Sequence, residues 1–153
     1  MELPTTLYTE SPEQTEAIGR ALATLLSFDG ELPSFVAMYG DLGVGKTAFV
    51  RGFCSELCRG ATVKSPTFAL VNEYRCTLDN ARVSKVCHFD MYRITDEDDL
   101  YSIGFYDYLN DRVFCIAEWC ELIPYALPEE YIKVTIEKTE SENKRKINVE
   151  LMI

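Results

Sequence analysis

The stretch YGDLGVGKTAFVRGF, from Tyr39 to Phe53, carries the spacing G-x-x-x-x-G-K-[ST] in Gly40, Gly45, Lys46 and Thr47. Each residue type has a physical reason to be there. Glycine at 40 and 45 tolerates tight or left-handed backbone, so the amides of Asp41, Leu42, Gly43 and Val44 can turn inward around phosphate oxygens. A helix starting near Lys46 aims its unbonded amides and the positive end of its dipole at the same anion. The Lys46 ammonium can reach β- and γ-phosphates, and the Thr47 hydroxyl suits Mg²⁺. Chance produces this pattern in about 0.5% of chains of this length. Here it also lies between an apolar strand, SFVAMYG (34–40), and a helix, KTAFVRGFCSELC (46–58), which is the context such a loop needs. The chain therefore reads as a nucleotide-binding protein.

Working outward, SPEQTEAIGRALATLLSF (11–28) predicts a helix. Ser11 is placed to cap it, Pro12 fits its first position, and Gln14 completes a capping box. Ile18, Leu22, Leu25 and Leu26 give it an apolar stripe. FALVNEYRC (68–76), SKVCHFDMY (84–92) and RVFCIAEW (112–119) predict three strands, and TDEDDLYSIGFYDYLN (95–110) a helix with an acidic start. The tail, 131–153, reads as two alternating strands around a polar turn. With no repeat or linker, residues 1–153 form one α/β P-loop NTPase-like domain with a mixed, partly antiparallel central sheet flanked by helices.

A phosphate loop needs an acid at the end of an apolar strand, to hold the metal or orient water. Asp90, ending KVCHFD, and Glu118, ending VFCIAE, both qualify. Glu118 is the cleaner match, with five apolar residues before it. Thr67, after Pro66 in KSPTFAL, suits a loop that closes over the γ-phosphate and metal. His88, the only histidine, is either a packed core residue or a catalytic one.

The formal net charge of −10 argues against direct binding of nucleic acid, whose affinity comes largely from Lys and Arg. The N-terminus, MELPTTLYTESP, has neither a basic cluster nor an apolar run, so a cytoplasmic location is expected, with no membrane segment. Six cysteines without a secretory signal are expected to be free thiols, Cys87 and Cys115 among them as core residues. Zinc is disfavoured, because no C-x-x-C pair is present.

GDLGVGKTAFVRG, SPTFALVNEY, HFDMYR and AEW, in this order and spacing, resemble the TsaE (YjeE) family, the P-loop ATPases of tRNA threonylcarbamoyladenosine biosynthesis. The resemblance runs from SPEQTEAIGRALA to the last strand. It implies a single α/β domain that binds ATP or ADP with Mg²⁺ and hydrolyses ATP weakly alone. It also implies work with the TsaD and TsaB proteins, which transfer a threonylcarbamoyl group to adenosine 37 of tRNAs reading ANN codons; tRNA is met only through these partners. Carried over, Lys46 grips phosphate, and Thr47 and Glu118 are the metal ligands. Asp90 is the essential acid, acting on the water or its network. Thr67 belongs to a switch-like loop, and Trp119 lies beside the nucleotide. The family binds adenine between its N-terminal segment and the region before its last strand, which points to Ser11 and Arg145.

Rival readings are a small-molecule kinase, a GTPase and a non-catalytic sensor of ATP against ADP. Kinases of this kind carry an arginine-rich lid, whereas the eight arginines here are scattered. A guanine reader carries N-K-x-D, and NKRK at 143–146 lacks the aspartate. The sensor differs only in whether hydrolysis matters.

Overall fold

The computed structural model describes residues 1–66, 70–79 and 81–153. The strands are β1 (Thr5–Thr9), β2 (Phe35–Tyr39), β3 (Val71–Arg75), β4 (Lys85–Asp90), β5 (Val113–Glu118), β6 (Tyr131–Lys138) and β7 (Arg145–Met152). The helices are α1 (Pro12–Phe28), α2 (Lys46–Leu57) and α3 (Glu97–Ser102), with short 3-10 turns at Phe105–Tyr108, Cys120–Leu122 and Pro124–Ala126.

One sheet takes the order β1-β7-β6-β2-β5-β4-β3. β6, β2, β5 and β4 run parallel; β7 on one side and β3 on the other run antiparallel to them, and β1 pairs antiparallel with β7 at the edge. The sequence explains the arrangement. β5 is buried throughout and β2 nearly so, as an apolar run covered on both faces requires. β6 alternates buried Ile132, Val134 and Ile136 with more exposed neighbours, the pattern of a strand with one covered face.

Two cores result. On one face α1 and α2 press Leu22, Leu26, Phe49 and Phe53 onto Phe114, Ile116 and Val134. On the other, α3 and the 3-10 turns bring Leu100, Phe105 and Cys120 against Phe89 and Cys115. Rings meet edge-to-face in both, Phe53 on Phe114 at 5.8 Å and Phe89 on Phe105 at 5.4 Å.

The Ser11 cap forms as expected: its hydroxyl accepts from the Gln14 amide at 3.2 Å. The return bond differs from a standard capping box, because Gln14 Oε1 accepts from the Glu10 amide at 2.7 Å instead. α1 and α2 approach so closely that two glycines are required. A Cβ on Gly52 would meet the Glu16 carbonyl oxygen at 1.9 Å, and one on Gly19 the Phe49 oxygen at 2.2 Å. Backbone cannot yield as a side-chain tip can. Gly52→Ala is therefore expected to destabilise the protein by about 1–3 kcal/mol, read as a lower urea midpoint. An unchanged midpoint would show that the helices can separate freely.

Two expectations need correction. The helix expected over 95–110 is two shorter pieces, because Gly104 adopts φ 70° after α3 and restarts the chain as a 3-10 turn. β1 was not expected at all; it is an edge strand held by β7, with Thr5 opposite Val149. The strand expected from Phe68 is seen from Val71; Phe68 lies outside the described residues.

The thiols follow the sequence reading. All six are free, and Cys87 and Cys115 lie in register on β4 and β5. Burial pushes the Cys87 thiol up to about 12 and raises the Cys115 thiol as well, which disfavours their thiolate forms. Among the described residues no three His, Cys, Asp or Glu side chains cluster as a metal site. Nor is any helix among them long and apolar enough to cross a membrane.

Candidate nucleotide site

The phosphate loop leaves β2 and enters α2 at the carboxyl ends of the parallel strands, where α/β sheets gather their ligands. Gly40 has φ 146° and Gly45 φ 111°. At Gly40 a side chain is excluded twice over, since a Cβ would meet the Ile136 carbonyl oxygen at 2.5 Å. Gly45 caps α2 in left-handed conformation with no side-chain bond, so the first amides of the helix remain available to an anion.

The order β2-β5-β4 places the two acids differently. Glu118 ends the strand beside β2, and Asp90 ends the next one out, directly opposite Glu118 in register. Both project to the α2 side. Gly43, Gly45, Lys46, Thr47, Ser65, Asp90, Glu118 and Trp119 are among the residues that line one cavity of about 290 Å³. The two acids named from the sequence therefore converge on the loop.

Lys46 is only 5% exposed. Its Nζ donates to the Gly40 carbonyl at 2.5 Å and stands 3.6 Å over the Trp119 ring. Burial lowers its pKa, opposed by the charges of Glu118, Glu121, Asp90 and Asp41. Trp119 holds left-handed backbone, φ 62°, and its ring packs at 5.0 Å from that of Tyr92. That uncommon turn carries the indole back across the loop. Thr47 Oγ1 shares a 2.8 Å hydrogen bond with Ser65 Oγ.

Glu118, 5% exposed, meets His88 at 2.5 Å between Oε2 and Nε2. Asp90 Oδ1 accepts from the Tyr92 amide at 3.0 Å. Burial raises the Asp90 pKa, with Glu118 adding to it and the Tyr92 amide opposing. A raised carboxyl pKa means that the ionised form is disfavoured in the folded chain. The resulting loss of stability is absent below the unfolded value and complete once pH exceeds the folded one. Asp90→Asn, which keeps the acceptor for Tyr92, is expected to raise Tm near neutral pH. The gain should vanish as pH falls into the ordinary Asp range, and a variant that melts lower at pH 7 would contradict the electrostatic account.

Ser11 and Arg145 meet in an adjoining cavity of about 190 Å³, lined also by Gly43, Val44, Gly45 and Ala48 of the loop and α2. Arg145 Nε donates to the Val44 carbonyl at 3.1 Å, and Nη1 to Glu142 and Lys144 carbonyls. Beneath them the hydroxyls of Thr9 and Thr15 bond at 2.9 Å, fixing the join of β1 to α1. Thr67 lies outside the described residues. Three further contacts escaped the sequence reading: Ser65 on Thr47, His88 on Glu118, and Glu121, whose Oε2 accepts from the Gly40 amide at 3.3 Å. Period-two alternation from Asp90 puts His88 on its face of the sheet; nothing local marks the other two.

This arrangement offers amides and a cation to an anion, and oxygen donors to a hard cation. Thr47 and the carboxylates match the oxygen ligands that Mg²⁺ prefers, with few protein donors and room for phosphate and water. The model of the family described as threonylcarbamoyl adenosine biosynthesis protein TsaE matches residues 9–147. The tRNA threonylcarbamoyladenosine biosynthesis protein TsaE of Bacillus subtilis is 35% identical over 130 residues, covering 85% of this chain and 75% of that protein. Its namesake in Haemophilus influenzae is 39% identical over 113 residues, covering 74% and 68%. The crystal structure of Bacillus subtilis YdiB superposes with TM-score 0.68 at 26% identity, over 100% of this chain and 89% of that one. The chain belongs to the TsaE family of threonylcarbamoyl adenosine biosynthesis proteins.

Proposed function

We propose that this protein binds ATP with Mg²⁺ and hydrolyses it, in support of threonylcarbamoylation of adenosine 37 in tRNAs reading ANN codons. The observation that carries the reading is the single cavity shared by Lys46, Thr47, Asp90 and Glu118. The loop amides and Lys46 bind the phosphates; Lys46 also balances charge on the β- and γ-phosphates. Thr47 and Glu118 would hold the metal, which when bound would neutralise charge on the phosphates. Asp90, the outer acid, orients the attacking water or accepts its proton; its raised pKa suits that task better than a free aspartate's. Thr67 serves the loop that closes on the γ-phosphate. Trp119 covers the phosphate end, and Ser11 and Arg145 border the cavity for adenine.

The partners are the TsaD and TsaB proteins, and the setting is the cytoplasm. With a net charge of −10 the protein is poorly suited to hold tRNA, so the partners hold it. The test is phosphate release from ATP. Slow release alone, a rise on adding the TsaD–TsaB pair, and no phosphorylated acceptor are expected. A phosphorylated metabolite in place of free phosphate would favour the kinase reading.

A further inference from the structure

We infer that His88 is the positioning residue for Glu118: its buried imidazole fixes the carboxylate that faces the metal side of the cavity. The inference rests on the proposed metal role of Glu118. Three observations support it. His88 is fully buried, 0% exposed, yet its Nε2 lies 2.5 Å from Glu118 Oε2. Among the described residues Nδ1 has no hydrogen-bond partner. Glu118 makes its side-chain contact with His88 and is also one of the residues that line the cavity.

A histidine kept only for packing is a poor choice here. It occupies a position on β4 between Ile116 and Asn72 in register, where an apolar residue would leave no nitrogen unpaired. What the ring gains is the contact with Glu118. With Nε2 donating, the glutamate keeps one rotamer and part of its negative charge is met inside the protein. Metal sites often use this device with the roles reversed, a carboxylate behind a ligating histidine; outer partners of that kind are worth roughly 10–100-fold in metal affinity. Here the histidine stands behind the carboxylate. The contact joins residues 88 and 118 on neighbouring strands, and the parallel register of β4 with β5 makes it possible.

The experiment is ADP binding by calorimetry, without metal and across a Mg²⁺ titration. His88→Leu is expected to leave metal-free ADP affinity within about threefold of wild type and to raise the Mg²⁺ requirement roughly tenfold or more. His88→Gln, which can still donate to Glu118, should restore it to within about threefold. His88→Asn is one bond shorter, keeps a polar core residue, and should behave like His88→Leu; it carries the test if His88→Leu does not fold. Combined with Glu118→Gln, His88→Leu should add nothing to the Mg²⁺ requirement of Glu118→Gln alone. Wild-type Mg²⁺ dependence in His88→Leu or His88→Asn overturns the inference, as does equal loss of affinity with and without metal, or additivity in the double variant. A wild-type protein whose ADP affinity ignores Mg²⁺ overturns the metal reading itself, and this inference with it.

Discussion

Lys46→Ala is expected to lower ATP turnover roughly 10²–10³-fold, the scale seen when one preorganised charge-stabilising donor is lost. Lys46 is the cation that faces the cavity beside two carboxylates. Removing it takes away the one cationic side chain among the described residues that line this cavity, beside Asp90 and Glu118. The loss should fall on binding as well as on turnover. Its stability cost should be small, because the buried ammonium itself is costly and Gly40, whose carbonyl it bonds, is only half-buried. The measurements are phosphate release and ATP affinity, with circular dichroism to confirm the fold. Turnover within threefold of wild type would remove Lys46, and with it the phosphate loop, from the chemistry.

Glu118→Gln is expected to reduce turnover by roughly 10²-fold at ordinary Mg²⁺ and to recover part of it at high Mg²⁺. The amide keeps the size of the side chain and an acceptor oxygen but loses the charge that attracts the ion. Asp90→Asn should differ: turnover falls, nucleotide affinity holds, and added Mg²⁺ does not help. Position in the sheet is the reason for the split, since Glu118 ends the strand beside the loop strand and Asp90 the one beyond. Identical Mg²⁺ titrations for the Glu118 variant and wild type would reverse or dissolve the two roles.

Much of this was legible in the sequence because the signals are local. Gly40, Gly45, Lys46 and Thr47 need only their own spacing, and the apolar runs before Asp90 and Glu118 already read as strands ending in acids. That the two acids meet required the order β2-β5-β4, which local patterns do not encode. β1 was illegible for a similar reason: its residues gain their strand only by pairing with β7, far along the chain, from Thr5 opposite Val149 to Thr9 opposite Arg145. The break at Gly104 was readable in principle, since glycine marks a helix end, but the acidic start and aromatic run outweighed it. His88 could be placed on the right face by alternation; its partner could not, because Glu118 belongs to another strand.

Hydrolysis by the protein alone is expected to be slow. One small domain does not surround a γ-phosphate on every side, so docking of a partner is expected to complete the shell around it. The central claim is that hydrolysis at this loop drives repeated rounds of tRNA modification. It is tested by counting threonylcarbamoyladenosine formed per TsaD–TsaB complex, with wild-type protein or with Lys46→Ala. The account predicts many rounds with wild type and hydrolysable ATP, and at most about one with the variant; equal multiple-round yields from both would contradict it.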